Sequence, residues 1–440
     1  MNIRVLNFNS RSSFKRVAIL IWPFLSSICF FLYWMEHDKI FSYIGLLFYF
    51  APVFFLNIYN CLSVYYFILP NIPMFKLNTD SIALSSFFLI IVFFKMLLHK
   101  NLRINLPFLF LLLLYFTTSM LTYYFAQNSL GVLTQEIRVV IDIFMVICVL
   151  EIYKDNLSEF YNSVSNSYIY GCLVASIISL LFPLLQGNKI SGYRIEAING
   201  DPNYFSLCLA FGISLLLLEI YQKGFTSIYL IIFIMLLFSG LMSMSRGFLM
   251  SMVANIILFC YLFCFKIKYS AFKKLIVILI FVTIIIILND FLSLLIKNYE
   301  NRIFSEETSG GSGRIEIWKM YLNDAFSSLV KLFFGSGVPD LISPITGEIH
   351  VQHNIYLELF TGKGFIGTVV IILIYMNLFR ITKKLVGNKI NSIVSLIPVF
   401  TLAIGFMFLN GLVSDVGIMT IFLSFFATNI KSKIFAPMSN

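Results

Sequence analysis

Four short polar groups interrupt an otherwise apolar chain, and each holds a side chain able to handle a phosphate or a proton. The first is Arg194 with Gly200-Asp201-Pro202-Asn203 a few residues on. The second is Ser245-Arg246-Gly247, with almost no loop around it. The third is Gly313-Arg314-Ile315-Glu316-Ile317-Trp318, which follows the strip Ser309-Gly310-Gly311-Ser312-Gly313. The fourth is Gln352-His353-Asn354-Ile355-Tyr356-Leu357-Glu358. A guanidinium is a planar fork that matches two phosphate oxygens. Three such cations, Arg194, Arg246 and Arg314, could neutralise a diphosphate without a metal ion. The imidazole of His353, with an ordinary pKa of about 6.5, suits a general base near neutral pH. It could take the proton of an attacking hydroxyl. Asp201 or Asn203 could cap a helix that has Pro202 in its first turn. Asn354 and Glu358 flank the histidine as substrate-binding candidates, although on a helix Glu358 would point away from His353.

Each group also has a structural reading. Asp201 and Asn203 could mark only a helix start. Arg246 could snorkel to lipid phosphate. Arg314 and Trp318 could belong to a surface helix anchored by an interfacial ring. His353 could be a polar cap at the membrane boundary. A fifth charged group, Glu136, Arg138 and Asp142, falls inside an apolar run, where Arg138 and Asp142 are i, i+4 neighbours able to neutralise each other.

The elements that must carry these residues are membrane helices. The chain has 440 residues, 59% hydrophobic and only 12% charged, with mean hydropathy +0.91. A soluble domain has about 25% charged residues, so a soluble enzyme is excluded. The 49 Phe and 23 Tyr suit lipid-facing helices with interfacial rings. A span needs about 20 apolar residues. Candidate runs are 17–35, 41–69, 81–98, 106–126, 130–153, 165–185, 203–221, 226–244, 247–265, 274–296, 354–379, 392–411 and 413–430. The run 41–69 is too long for one span. It holds Pro52 and Asn57, so it reads as a kinked helix or a tight pair. The expected class is an all-α integral membrane protein of about 12–14 transmembrane helices, with the count in the first 80 residues left open.

Basic clusters at Arg4 to Arg16, Lys266 to Lys274, Arg380 to Lys389 and Lys431 to Lys433 lie inside by the positive-inside rule. The first run is then a retained span and not a cleaved signal peptide. Segments 186–202 and 297–353 fall outside. Three regions follow: helices in 1–296 with the outer loop 186–202, a large periplasmic loop 297–353, and helices in 354–440. The large loop holds five Lys/Arg against seven Asp/Glu, which argues against a nucleic acid partner. Within it, Arg314 to Lys331 reads as one short helix at the membrane surface.

The seven cysteines are scattered without a Cys-x-x-Cys pair, so neither a disulfide framework nor a zinc site is expected. Asp-x-Asp, Gly-x-x-x-x-Gly-Lys-Ser/Thr and His-Glu-x-x-His are all missing. A metal-bound nucleotide-sugar site, an ATPase and a zinc protease are therefore not indicated. No metal and no cofactor is expected.

The four polar groups, in this order and around one large outer loop, resemble the bacterial O-antigen ligase and O-antigen polymerase superfamily. Gly364 and Gly367 downstream of His353 belong to the same likeness, which spans roughly residues 190–370. The resemblance implies a metal-independent membrane glycosyltransferase that uses undecaprenyl-diphosphate-linked saccharides, with Arg246, Arg314 and His353 as the functional residues. Many members carry Glu where this chain has Gly362, and Glu358 is a substitute for it.

Within that family the expected activity is a surface-polysaccharide polymerase joining lipid-linked repeat units with inversion. The Phe-, Ile- and Asn-rich composition is similar to that of surface-polysaccharide clusters. The alternative is a ligase that moves the glycan to lipid A core. From another class, a polysaccharide transporter or flippase would explain Glu136, Arg138 and Asp142 in mid-membrane. The expected partners are undecaprenyl-diphosphate-linked donor and acceptor and membrane lipid, with a chain-length regulator as a further candidate. The expected location is the inner membrane, with the site facing the periplasm.

Overall fold

A computed structural model describes residues 10–77, 84–98, 106–125, 129–154, 156–187, 194–198, 200–223, 226–261, 314–337, 341–342, 349–350, 353–386, 396–409 and 415–429. The expected span 274–296, the glycine strip at 309–313 and the basic residues Arg4 and Lys266 to Lys274 lie outside them.

The described chain is an all-α membrane protein. Its helices are α1 (Ser10–Glu36), α2 (Lys39–Phe55), α3 (Ile58–Ile68), α4 (Leu84–Leu97), α5 (Leu106–Phe125), α6 (Ser129–Ile152), α7 (Leu157–Leu185) and α8 (Pro202–Lys223). They continue as α9 (Ser227–Met242), α10 (Arg246–Tyr261), α11 (Arg314–Ala325), α12 (Leu329–Phe334), α13 (Ile355–Val386), α14 (Ile397–Gly405) and α15 (Asp415–Asn429). One antiparallel pair of two-residue strands, Leu341–Ile342 against Ile349–His350, joins α12 to α13. Among the described residues four stretches, Ile19–Glu36, Leu157–Leu185, Pro202–Tyr221 and Ile355–Leu385, are long and apolar enough to cross a bilayer, and seven shorter helices are largely apolar.

The run 41–69 is a pair of helices. Asn57 ends the first and caps the second, its side-chain oxygen accepting from Asn60 N–H at 2.9 Å. Pro52 sits in the last turn of α2. Lys95 on α4 donates to the carbonyls of Val53 and Leu56. Those carbonyls end a helix and lack helical donors, so a cation from a neighbouring helix answers both their hydrogen bonding and their partial negative charge.

At the centre is α8. It is apolar on all sides and buried among α7, α9, α10 and α14, as a helix without a polar face must be. Small and polar side chains fasten its neighbours. Ser251 on α10 donates to Thr401 O at 3.3 Å, and Asn255 donates to Ala210 O on α8 at 3.2 Å.

Helix α13 is broken at Gly364 (φ 65°, ψ −177°). The break removes helical donors from nearby carbonyls, which hydrocarbon cannot satisfy. Replacement donors reach four carbonyls around it. Thr368 Oγ1 donates to Leu359 O at 3.2 Å and to Gly364 O at 2.7 Å. Ser336 N–H reaches Thr361 O at 2.9 Å, and Gly337 N–H reaches Gly362 O at 3.0 Å. Glycine is required at the crossing. A Cβ on Gly364 would strike the backbone of Phe333 and Gly335, and Gly335 itself has φ 83°.

The stretch expected as one helix from Arg314 to Lys331 is two. Asp324 stops the first, accepting from Lys331 Nζ at 2.6 Å and Ser336 Oγ at 2.7 Å. Ser328 restarts the chain, its hydroxyl accepting from Lys331 N–H at 3.2 Å. Ser327 and Ser328 take up backbone groups between the two helices, Ser327 Oγ donating to Asp324 O at 2.6 Å, and the helix divides here.

Candidate functional site

The first polar group lies across the end of the central helix. Asp201 caps α8, its Oδ1 accepting from Asn203 N–H at 2.6 Å and Tyr204 N–H at 3.2 Å. Pro202 occupies the first helical position, where its missing N–H costs nothing. Asn203, one residue further, is a hub. Its Oδ1 accepts from Arg194 Nη2 at 3.0 Å and from Ser245 Oγ at 3.0 Å. Arg194 Nε donates to Ser243 O at 2.8 Å, and Ile195 N–H donates to Met242 O at 3.1 Å. The segment 194–198 is thereby pinned to the turn between α9 and α10.

That turn holds the second group. Met244 has φ 49°, a left-handed conformation that a side chain of its kind rarely adopts. The reversal it makes lets Ser245 start α10, with Phe248 N–H donating to Ser245 Oγ at 3.4 Å. Arg246 is the first residue of that helix and is half-buried. Gly247 packs on Phe408, whose side chain would sit 3.1 Å from any Cβ there.

The fourth group starts α13 in a similar way. His353 has φ 49°. Asn354 caps the helix, its Oδ1 accepting from Tyr356 N–H at 3.1 Å and Leu357 N–H at 3.2 Å. Tyr356 donates from its hydroxyl to Ala403 O at 2.8 Å, holding this helix start against α14. Positive φ at a residue other than glycine is costly and concentrates at functional sites. Among the described residues only His37, Met244 and His353 show it, and two of these three adjoin or are candidate catalytic groups.

Electrostatics ties the first, third and fourth groups together, and the second joins through the Ser245 bond to Asn203. Burial and the Arg314 guanidinium push the His353 imidazole below its ordinary 6.5, and the Asp201 carboxylate pulls it back up. Arg314 at the start of α11, His353 before α13 and Asp201 before α8 thus share one electrostatic environment. Glu196 adjoins it. Burial raises its carboxyl above the usual range, Arg194 lowers it, and Asp201 raises it further.

The sequence-derived candidates accordingly divide. Arg194, Asp201, Asn203, Arg314, His353 and Asn354 collect at the helix ends around α8, with Arg246 beside Ser245 at the same turn. Glu358 is buried at 7% exposure on the next turn of α13, while His353 and Asn354 remain partly open. Two of the candidates also have fixed structural work. Asp201 and Asn354 already occupy the first N–H groups of their helices, so these helix ends have fewer donors left for an anion, and the task falls on the arginines. Arg194 has its Nε and Nη2 engaged, which leaves it a smaller share in phosphate binding. Sequence reasoning passed over Ser243, Ser245 and Glu196 as partners. For Ser245 the signal was its place beside Arg246 between two apolar runs. Among the described residues no three His, Cys, Asp or Glu side chains converge as a metal site.

Asn203 offers a direct check of this geometry. Asn203→Ala should take the acceptor from two donors, Arg194 Nη2, which is half-buried, and Ser245 Oγ, which is buried. A loss of about 1–3 kcal/mol is expected from each polar group left without its partner. The measurement is the thermal midpoint in detergent. Asn203→Asp, which keeps the acceptor oxygen, should fall less than Asn203→Ala. Equal midpoints for wild type and Asn203→Ala would mean the hub carries no stability.

These features define an all-α membrane protein with a cationic, imidazole-bearing site gathered at its helix ends. Residues 230–372 match the O-antigen ligase family, and this supports the likeness of the polar groups to the O-antigen ligase and polymerase superfamily. In general terms it is a glycosyl-transferring membrane enzyme. The matched stretch contains Arg246, Arg314, His353, Asn354 and Glu358, while Arg194, Asp201 and Asn203 precede it. A search of curated proteins finds no match.

Proposed function

We propose that the protein is a surface-polysaccharide polymerase that joins undecaprenyl-diphosphate-linked repeat units at the periplasmic face of the inner membrane. The observation that supports this most is the shared environment of Arg314, His353 and Asp201 at the end of the central helix. A diphosphate leaving group needs positive charge, and an incoming hydroxyl needs a base. Both are supplied at one place, and a lipid-linked donor reaches it from the bilayer.

In this reading Arg246 and Arg314 hold the donor diphosphate, and Arg194 braces the wall behind them. His353 accepts the proton of the acceptor hydroxyl. The acceptor oxygen bonds to the anomeric carbon from the face opposite the diphosphate. The bond from that carbon to the diphosphate oxygen breaks, the centre inverts, and undecaprenyl diphosphate leaves with the bonding electron pair. The arginines stabilise the charge that collects on it. The histidine is poised for this role because its lowered pKa keeps it neutral, and so able to accept a proton, at neutral pH. Asn354 and Glu358 remain substrate-binding candidates on the first turns of α13.

The purified protein, incubated with a lipid-linked repeat unit alone, should give a ladder of products on a gel. The family match, described as O-antigen ligase, favours a second reading in which glycan moves to lipid A core. No ladder without lipid A core, but transfer when it is added, would replace the polymerase by a ligase. Silence with both acceptors would overturn both and return the chain to the transporter class.

A further inference from the structure

We infer that Glu136 on α6 and Lys363 on α13 form a positioning pair that sets the orientation of the helix segment carrying His353, an inference that rests on the proposed glycosyl transfer. Lys363 is the only residue between the two glycines of the break, Gly362 and Gly364. Its side chain turns into the bundle, 6% exposed, and its Nζ makes an ion pair with Glu136 Oε1, whose side chain is fully buried. Glu136 is the charged residue that the sequence left in mid-membrane, and Lys363 had no place in that reading.

Residues 355–363 form a piece of about two turns, isolated from the rest of α13 by the left-handed Gly364. Glycines on both sides of Lys363 make the backbone there soft to rotation. The main-chain bonds from Ser336 and Gly337 hold the break point but come from the α12 end, not from α6. Lys363 is the long side chain that ties the piece to α6. Tyr356, two turns earlier, ties the other end to α14. Side chains on a helix lie at a radius of about 6 Å, so a rotation of about 10° displaces them by about 1 Å. A misplacement of that size can cost about 100-fold in rate. Burying two opposite charges is rarely the most stable use of such positions, and in some proteins a buried polar pair serves to specify one arrangement of the chain.

The test uses full-length protein in lipid vesicles. Lys363→Met keeps the aliphatic stem and removes the charge, and Glu136→Gln removes the other partner. The double swap Glu136→Lys with Lys363→Glu restores an opposite pair in reverse. With lipid-linked repeat units as substrate, Lys363→Met should lower kcat by about 100-fold with KM nearly unchanged, and the swap should regain at least about tenfold of that loss. Hydrogen exchange supplies a second reading that does not depend on activity. Amides of residues 355–362 should exchange faster in Lys363→Met while those of 202–221 stay as in wild type, and the swap should slow them again. Unchanged exchange and unchanged kcat in Lys363→Met would overturn the pairing role. Acceleration throughout the chain would overturn it as well, because the pair would then serve global stability only. If wild type makes no polymer, the functional reading fails by itself, and exchange at 355–362 still decides the tether.

Discussion

Replacing Arg314 with alanine should abolish detectable polymer while the protein stays at normal abundance in the membrane. Arg314 opens α11, and it is close enough to His353 to depress the imidazole pKa. A charge that stabilises a leaving diphosphate acts mainly in the transition state. Loss of one such group costs about 10²–10³ in kcat in comparable oxyanion sites, and loss of an arginine acting on a phosphoryl transition state costs about 10³–10⁵. Lysine at this position keeps the charge but not the fork, so Arg314→Lys should recover only part of the activity. Quantifying polymer against membrane-embedded protein checks the result. Undiminished polymer in Arg314→Ala would remove this residue from the site.

His353→Ala should fall by about 10²–10⁴, the span of positioned general base catalysis. The sharper expectation concerns pH. A base must be neutral to work, so the rate rises with pH through the folded pKa. Burial and Arg314 both hold that value below 6.5, which puts the acid limb of the profile below 6.5 as well. Its neighbours act in opposite directions. Asp201→Asn removes the carboxylate that raises the imidazole, so the limb should move to lower pH. Arg314→Lys retains a cation and should leave it nearly in place, while any residual activity of Arg314→Ala should show the limb at higher pH. Profiles that do not move in Asp201→Asn would take His353 out of the role of base. Asp201 also caps α8, so a thermal midpoint measured beside the profile separates lost stability from a shifted titration.

What the sequence disclosed was local. Asp201 with Pro202 announces a capped helix because both signals act within one turn, and the cap is there. Asn57 after Pro52 announces the division of the run 41–69 for the same reason. The order of the polar groups pointed to a shared face, because a chain that alternates across a membrane returns its ends to shared faces. The partners were not legible. That Asn203 joins Arg194 to Ser245 depends on residues 9 and 42 positions away meeting in space. Glu136 and Lys363 stand further apart still, and periodicity carries no trace of such a pairing. The division of α11 from α12 was written in Asp324, Ser327 and Ser328, but a stretch of good helix formers on both sides masked it. For Lys363 the warning was present: a lysine between two glycines, inside an apolar run, is a charge in need of a counter-ion.

The break in α13 also has a bearing on how the protein is made. Its stranded carbonyls at Thr361 and Gly362 take their donors from Ser336 and Gly337, which leave the ribosome some 25 residues earlier. The donors therefore already exist when α13 enters the bilayer. A chain truncated after α12 lacks only something to clasp, whereas a chain deleted of residues 335–337 would present the insertion machinery with an unsatisfied backbone in oil. Order of synthesis and order of need coincide: the donors are made before the carbonyls they serve.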